Sequence, residues 1–582
     1  MINPIPPFAV YIIGALLIPF IRNSAAKRAF LLLIPVVSFI NLINIPMGSH
    51  FIVPFLDFQL IFAKIDKLSL IFGYIFHLVT VIAVIYALHV KDNLQHVAAY
   101  IYGGSALGVT FAGDLFSLFV FWELLTIGSV FLIWTNRTQQ SLNAGFRYAL
   151  YHIVGGLVLL SGILMYVHST GSIEFKEIGL QEGNLATYLI FIGFGINCAW
   201  PILHPWVTDA YPESTITGII FLSAFTTKTA VYALARAYPG TSILIWIGAA
   251  MACFAMVYAV IENDLRRVLS YSLINQVGFM VVGIGIGTNL AMNGAISHAV
   301  NDILFKALLF MSIGAVMYRT GKSRCTDLGG LYRTMPLTCI FCIIGAASIS
   351  GFPLFSAFVS KSMIISAAGQ GGMVLLWFLL MFASTGVLEH AGIKVPFFAF
   401  FSHDSGLRPQ EAPSNMLIAM GIAAFFCIFI GTFPGPLYSL LPYPVEYHPY
   451  TMTHVVTTTI LLLFASLAFV FLLFAGVYPP EMRAINLDAD WFWRKGSNLV
   501  VNVVTAVAGS IAKGLDHVFI KTLPVKLAAF SRRPISGMMK EYKNINVTTG
   551  PLPETNSMLM PAGVPVLISV AFILILALVF LL

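Results

Sequence analysis

The stretch FSLFVFWELLTIGSVFLIW, residues 116–134, decides the fold. It carries a single charge, Glu123, with about eight apolar residues on either side. At ~1.5 Å rise per residue, a helix of this length spans the ~30 Å hydrocarbon core of a bilayer. Its apolar residues run continuously instead of alternating, which selects a spanning helix over a β-barrel strand. Similar runs recur along nearly the whole chain, with about 17 apolar segments and 14–17 expected crossings. The composition agrees: of 582 residues, 59% are hydrophobic and 9% charged. A soluble domain carries roughly 25% charged residues. The chain therefore reads as an all-α polytopic membrane protein.

The net charge of +7 is modest. Basic residues sit in the loops at Arg22, Lys27 and Arg28, at Lys91, at Arg137, at Arg266 and Arg267, and at 319–333, with an acidic loop at 174–182. Basic loops set topology, so this pattern places the N-terminus outside and implies no nucleic-acid partner. The opening residues, 1–20, lack a basic n-region and read as a retained first helix. Six cysteines lie mostly within apolar segments, and no His or Cys stands at metal spacing beside them, so neither a metal nor a cofactor is expected. Residues 478–563 are polar and basic. Within them 498–519 is apolar on one face (Leu499, Val503, Val507, Ile511, Leu515), as in a helix lying on the membrane surface before a last span at 564–582.

A charge at the centre of a spanning helix costs ~2.5–3.5 kcal/mol on insertion scales, so each one is a functional candidate. Glu123 is the first; a carboxyl hydrogen-bonded to a neighbouring helix is the alternative reading. Lys228 lies mid-span in FTTKTAVYALAR (225–236), flanked by Thr226, Thr227 and Thr229, whose hydroxyls can accept from an ammonium. His298, Asp302 and Lys306 stand at i, i+4 and i+8 and share one helix face. Lys361 follows Gly351 and Pro353 in GFPLFSAFVSK (351–361), where a helix break frees backbone groups that are tolerated when they line a cavity. Glu389, His390 and Lys394 form another group that either caps a helix end or takes part in function. A second Pro-rich break, WPILHPW (200–206), precedes Asp209 and Glu213. Interrupted spans in two halves point to an inverted repeat. In keeping with this, Asn197 stands 31 residues before Lys228 and Lys361 stands 33 before Lys394. The organisation expected is N-terminal helices at 1–95, two halves at 96–240 and 241–400, accessory helices at 401–477, and the surface helix with a terminal span at 478–582.

Together with LHPWVTDAYPESTITG (203–218), ENDLRRVLSYSLINQVG (262–278) and HAVNDILFKALLFMSIG (298–314), these motifs resemble the antiporter-like subunit family. That family includes the proton-pumping membrane subunits of respiratory complex I and the A and D subunits of multisubunit Mrp-type Na+/H+ antiporters. FTTKTAVYALAR and GIKVPFFAFF (392–401) look closest to the D subunit of the antiporter branch. The resemblance covers roughly residues 60–430. It implies two inverted five-helix repeats with broken helices and a buried chain of Glu, Lys and His. The residues it assigns to proton transfer are Glu123, Lys228, His298, Asp302, Lys306 and Lys361, with Asn197, His204, Asp209, Glu389 and Lys394 as auxiliary positions. It also implies neighbouring membrane subunits as partners, a bacterial or archaeal-type inner (cell) membrane, and protons as the ion, with Na+ left open at this point. Two departures stand out. Aligned on His204 and Trp206, the family's usual lysine is Asn197 here, and Asp302 replaces a frequent histidine. The C-terminal section is more like the lateral helix of the largest complex I subunit. Readings as a pump module of a quinone oxidoreductase or membrane-bound hydrogenase, or as a subunit energising inorganic-carbon uptake, stay open at this point.

Overall fold

In the computed structural model the structure describes residues 5–476, 481–482 and 486–524. Residues 1–488 form one compact unit, and 489–582 a second. The expected terminal span at 564–582 lies outside the described residues.

The first unit opens with α1 (Pro7–Leu17) and α2 (Ser24–Ile43), which is started by the Asn23 side chain accepting from Ala25 and Ala26 N–H groups. An antiparallel hairpin of β1 (Gly48–Phe55) and β2 (Phe58–Ile65) follows. Nothing in the apolar runs announces this hairpin, because its strands are short and lie between them. Next come α3 (Lys67–Tyr86), α4 (Asn93–Phe111), α5 (Leu115–Trp134) and α6 (Gln139–Thr170). After these, α7 (Leu185–Asn197) breaks and resumes as α8 (Pro205–Ala210), and α9 (Gly218–Ala224) runs into α10 (Thr226–Ala237). Then follow α11 (Ile243–Ile261), α12 (Leu265–Ile286), α13 (Asn289–Thr320), α14 (Pro336–Ser350) and α15 (Ser356–Gln370). A helical stretch from Val374 to Phe401 contains α16 (Val374–Val387), a π-turn at Leu388–Ile393, and α17 (Lys394–Pro396). The unit closes with α18 (Ser414–Thr432), α19 (Gly435–Leu440) and α20 (Met452–Phe474). In the second unit α21 (Asp490–Leu515) continues as a π-turn to Thr522, so the expected C-terminal helix is present and begins earlier than 498.

Among the described residues, twelve helices are long and apolar enough to cross a membrane, with shorter apolar helices at Pro7–Phe20, Leu185–Asn197 and Pro336–Ser350. The apolar runs at 336–350 and 353–368, on either side of the break read at Gly351 and Pro353, are the halves of one element, α14 and α15, joined through Gly351 (φ 77°) and Leu354 (φ 74°).

The repeat is visible residue by residue. Thr138 caps α6 and Thr288 caps α13; both helices run for 32 residues and end on left-handed glycines, Gly171 and Gly321. Asp114 bridges Glu174, and Asp264 bridges Arg324. Each pair is offset by 150 residues, as are α4 and α11. Five crossings separate the copies, so an odd number of reversals inverts the second relative to the first. Under this offset Lys361 does not fall on Asn197. Lys361 follows its break and Asn197 precedes the other, so the 31- and 33-residue spacings are not the repeat. The halves are clamped together by Arg266, buried at the start of α12, whose guanidinium donates to the carbonyls of Ser214 (2.9 Å) and Thr215 (3.2 Å).

Candidate functional site

Helices α12 and α13 are buried over nearly their whole length, 94% in each spanning window, so they form the axis of the unit instead of facing lipid. The charged residues of α13 lie on this axis. His298, Asp302 and Lys306 are each fully buried, one turn apart.

Lys228 reaches them from the other half. The helix is interrupted at Phe225 (φ −104°, ψ −68°), between α9 and α10, and the Ser223 carbonyl beside the interruption faces the Lys228 side chain. The Lys228 ammonium donates to that carbonyl at 2.9 Å and pairs with Asp302 Oδ2 at 2.5 Å. Tyr102 holds the break open, its hydroxyl accepting from the Thr226 N–H (3.0 Å) and lying 2.6 Å from Thr226 Oγ1. Both members of the ion pair are fully buried, so each is the other's principal charge compensation. Lys306 Nζ, one turn further along α13, is buried with no hydrogen-bond partner among the described residues.

His298 does not bond to its i+4 neighbour. One ring nitrogen meets Gln276 Oε1 on α12 (3.0 Å) and the other Ser360 Oγ on α15 (3.1 Å). Asn301 donates to the Ser356 carbonyl (2.8 Å) and to Ser360 Oγ (3.0 Å). Lys361 donates to the Ile349 carbonyl (2.9 Å), which the α14/α15 break leaves without a helical donor, and lies 5.2 Å over the Phe279 ring. It borders a cavity of about 340 Å³ lined also by Ser350, Ser362, Ser366, His454 and Thr457. The two breaks therefore do the same chemical job, each presenting a main-chain carbonyl to a lysine.

The first half holds Glu123 on α5. It is half-buried, and its Oε1 packs so closely against Gly156 of α6 that no space is left there for a Cβ. Asn197, the last residue of α7, accepts through Oδ1 from His152 of α6 at 2.9 Å. His152 is not among the residues the sequence singles out. A single histidine in an apolar helix gives no signal until the facing helix is known. Gln276, Ser360 and Asn301 escape notice for the same reason, although all three stand inside or beside the motifs.

The auxiliary positions separate into different places. Asp209 pairs with Arg147 (2.6 and 2.9 Å) near the end of α8. His204 meets Asp488 (3.0 Å), to which Tyr271 also donates (2.6 Å). Glu389, His390 and Lys394 do not cap a helix end, because they lie on the π-turn and α17 inside the 374–401 helix. Glu389 is half-buried there. Lys394 is fully buried, donating to the Val260 (2.5 Å) and Glu262 (2.7 Å) carbonyls and pairing with Glu481 at 2.9 Å. Burial pushes the Glu481 carboxyl up, against the downward pull of Lys394. Asn486 donates to Glu262 (3.2 Å) and the Leu487 carbonyl accepts from Tyr258, so Glu481 and residues 486–488 lie across the ends of α8, α11 and α12. No group of three metal-ligating side chains occurs among the described residues.

These features define a class: a multi-pass helical membrane protein built on an inverted repeat whose broken helices meet a buried row of charges. Residues 112–387 match the model of the NADH:quinone oxidoreductase/Mrp antiporter transmembrane family. The chain is 31% identical over 366 residues to NADH-quinone oxidoreductase subunit N of Desulforudis audaxviator, covering 56% of this chain and 72% of that one. It is 32% identical over 281 residues to the D subunit of the Na(+)/H(+) antiporter of Alkalihalophilus pseudofirmus, covering 45% of this chain and spanning 56% of the relative's length. The fold is shared with a chain of the membrane-bound sulfane sulfur reductase, an archaeal respiratory membrane complex (TM-score 0.71, 24% identity, 92% of this chain and 99% of that one). The chain belongs to the NADH:quinone oxidoreductase/Mrp antiporter family.

Proposed function

We propose that this chain moves protons across the membrane as one subunit of a larger complex, most like the D subunit of a multisubunit Na+/H+ antiporter. The observation that carries the reading is the buried Lys228–Asp302 pair on the molecular axis, flanked by Lys306 and by Lys361 beside its cavity. Ionisable groups this deep in a spanning bundle are costly and serve ion pathways. Protons enter near Glu123, pass to Lys228, cross through His298, Asp302 and Lys306, and leave past Lys361. Groups not in direct contact exchange protons through bridging water. Each transfer changes a neighbour's charge, which couples the sites. Asp302 stabilises the ammonium of Lys228. When a proton reaches Asp302, the hold on Lys228 is released. The driving force comes from an ion gradient or a redox partner, since the sequence carries no nucleotide-binding loop and no iron–sulfur cysteine run.

Lys228→Ala should abolish proton transport in everted membrane vesicles, read as the change in luminal pH and normalised to assembled protein. Normal transport by that variant would overturn the reading. A second reading, a proton-pumping module of a redox complex of the quinone oxidoreductase or hydrogenase type, is favoured by the C-terminal helix at Asp490–Thr522, which resembles a lateral helix. Flavin or iron–sulfur absorbance in the co-purified complex selects it; a complex without such absorbance selects the antiporter.

A further inference from the structure

Between Glu123 and Lys228 there is no direct contact among the described residues, and the face of α6 that meets Glu123 at Gly156 carries two titratable side chains, Tyr148 and, between it and Gly156, His152. His152 is 1% exposed. Its Nδ1 donates to Asn197 Oδ1 at 2.9 Å, while its Nε2 and the Asn197 Nδ2 are buried with no hydrogen-bond partner among the described residues. Leaving such groups unsatisfied in an apolar interior costs free energy. A purely structural histidine has no reason to bear that cost in an apolar bundle.

The ring is also fixed in place. Tyr148 packs on it at 4.2 Å and Trp206 meets it edge-on at 4.6 Å. Trp206 is itself anchored by donating to the Ile196 carbonyl (3.0 Å). Along α6, His152 stands one turn from Gly156, the residue packed against the Glu123 carboxyl, and one turn from Tyr148, whose hydroxyl lies 3.5 Å from Thr226 Oγ1. Thr226 is two residues from Lys228. One face of α6 thus presents, in order, the Glu123 contact, the imidazole, and the tyrosine beside the α9/α10 break.

We infer that His152, oriented by Asn197, is the proton-carrying group between Glu123 and Lys228, a deepening that rests on the translocation reading above. With Nδ1–H donated to Asn197, the neutral ring keeps its lone pair on Nε2. A proton released by the Glu123 carboxyl binds Nε2, giving an imidazolium and a carboxylate. The same proton then leaves Nε2 for Lys228 once that residue is a free amine, which regenerates the neutral ring. No other bond changes. Asn197 cannot itself carry the proton, so its part is positioning.

The test uses the full chain in its assembled complex, in everted membrane vesicles, with the change in luminal pH followed by a pH-sensitive dye and normalised to assembled complex on native gels. His152→Gln keeps a hydrogen bond to Asn197 but cannot accept and release a proton. It should lower the rate by about 100-fold, the lower end of what a positioned acid–base group contributes. Placing an amine across from the vacated ring, in His152→Gln/Asn197→Lys, should regain at least a tenth of the wild-type rate, because a protonatable group is restored at the same point. Wild-type transport by His152→Gln overturns the inference. So does a loss that Asn197→Lys leaves uncorrected, since that outcome marks His152 as packing for Tyr148 and Trp206. If His152→Gln fails to assemble, His152→Lys is measured in its place, and a dead but assembled His152→Lys complex equally overturns it. Transport by the Lys228→Ala control overturns the translocation reading together with proton delivery from His152 to Lys228, whereas a dead Lys228→Ala beside a fully active His152→Gln overturns the role of His152 alone.

Discussion

At the scale of single residues, the Lys228–Asp302 pair sets the terms. Removing one partner of a buried ion pair leaves an uncompensated charge and costs ~3–5 kcal/mol, whereas removing both costs much less. Lys228→Met should therefore lower the melting temperature of the detergent-solubilised protein sharply. Lys228→Met/Asp302→Asn should recover most of that loss while remaining inactive in vesicle proton transport. Equal melting temperatures for the single and double variants would show that the pair is not coupled. Gly156→Ala separates packing from chemistry in another way. The new Cβ meets the tip of the Glu123 side chain, and that tip can swing aside. Stability should shift by no more than ~1 kcal/mol, at the low end of overpacking penalties. Transport should fall several-fold, because Glu123 is displaced from α6.

At the scale of elements, the interruptions at Phe225 and at Gly351–Pro353 serve the two lysines, and only the second is made by Gly and Pro. Each presents a carbonyl, Ser223 to Lys228 and Ile349 to Lys361. The Gly351 and Pro353 break and the Pro-rich break at 200–206 were legible in the sequence, because these residue types cannot continue a helix. The break at Phe225 was not, because no Gly or Pro marks it and threonines, though poor helix formers, do not by themselves end a helix. It is imposed by Tyr102 from α4, which binds the Thr226 N–H. Gly351 has φ 77° and open space around its Cβ position, so Gly351→Ala tests backbone strain alone. We expect a loss of roughly 1–2 kcal/mol, the cost of placing an L-residue in the left-handed region, read as a lowered thermal midpoint with unchanged assembly. No change would mean that the α14/α15 junction tolerates another backbone path.

At the scale of the whole molecule, Glu481 and residues 486–488 tie together pieces of both halves: Lys394, Glu262, Tyr258 and Tyr271 from the second, and His204 from the first. Glu481→Gln leaves the Lys394 ammonium with two carbonyls and without the carboxylate it pairs with. Hydrogen exchange of the amides at 486–488 should then quicken by about tenfold or more, since these contacts hold the segment against local opening. Unchanged exchange would show that Asp488 alone holds it.

The sequence by itself determined the class of protein, the chain of apolar helices, the Gly- and Pro-marked breaks and the charged residues. All of these follow from the free-energy cost of charge and unpaired backbone in hydrocarbon, which arises locally and can be read locally. The tertiary structure decided the pairings: Lys228 with Asp302 across the two halves, His298 with Gln276 and Ser360 in place of its own helix neighbour, Asn197 with His152, and Lys394 with Glu481. It also decided that the repeat runs at 150 residues and that a β-hairpin precedes α3. These are long-range matters. A buried polar group takes whichever partner the packing of distant helices brings within hydrogen-bond reach, and no spacing along one chain segment encodes that distance.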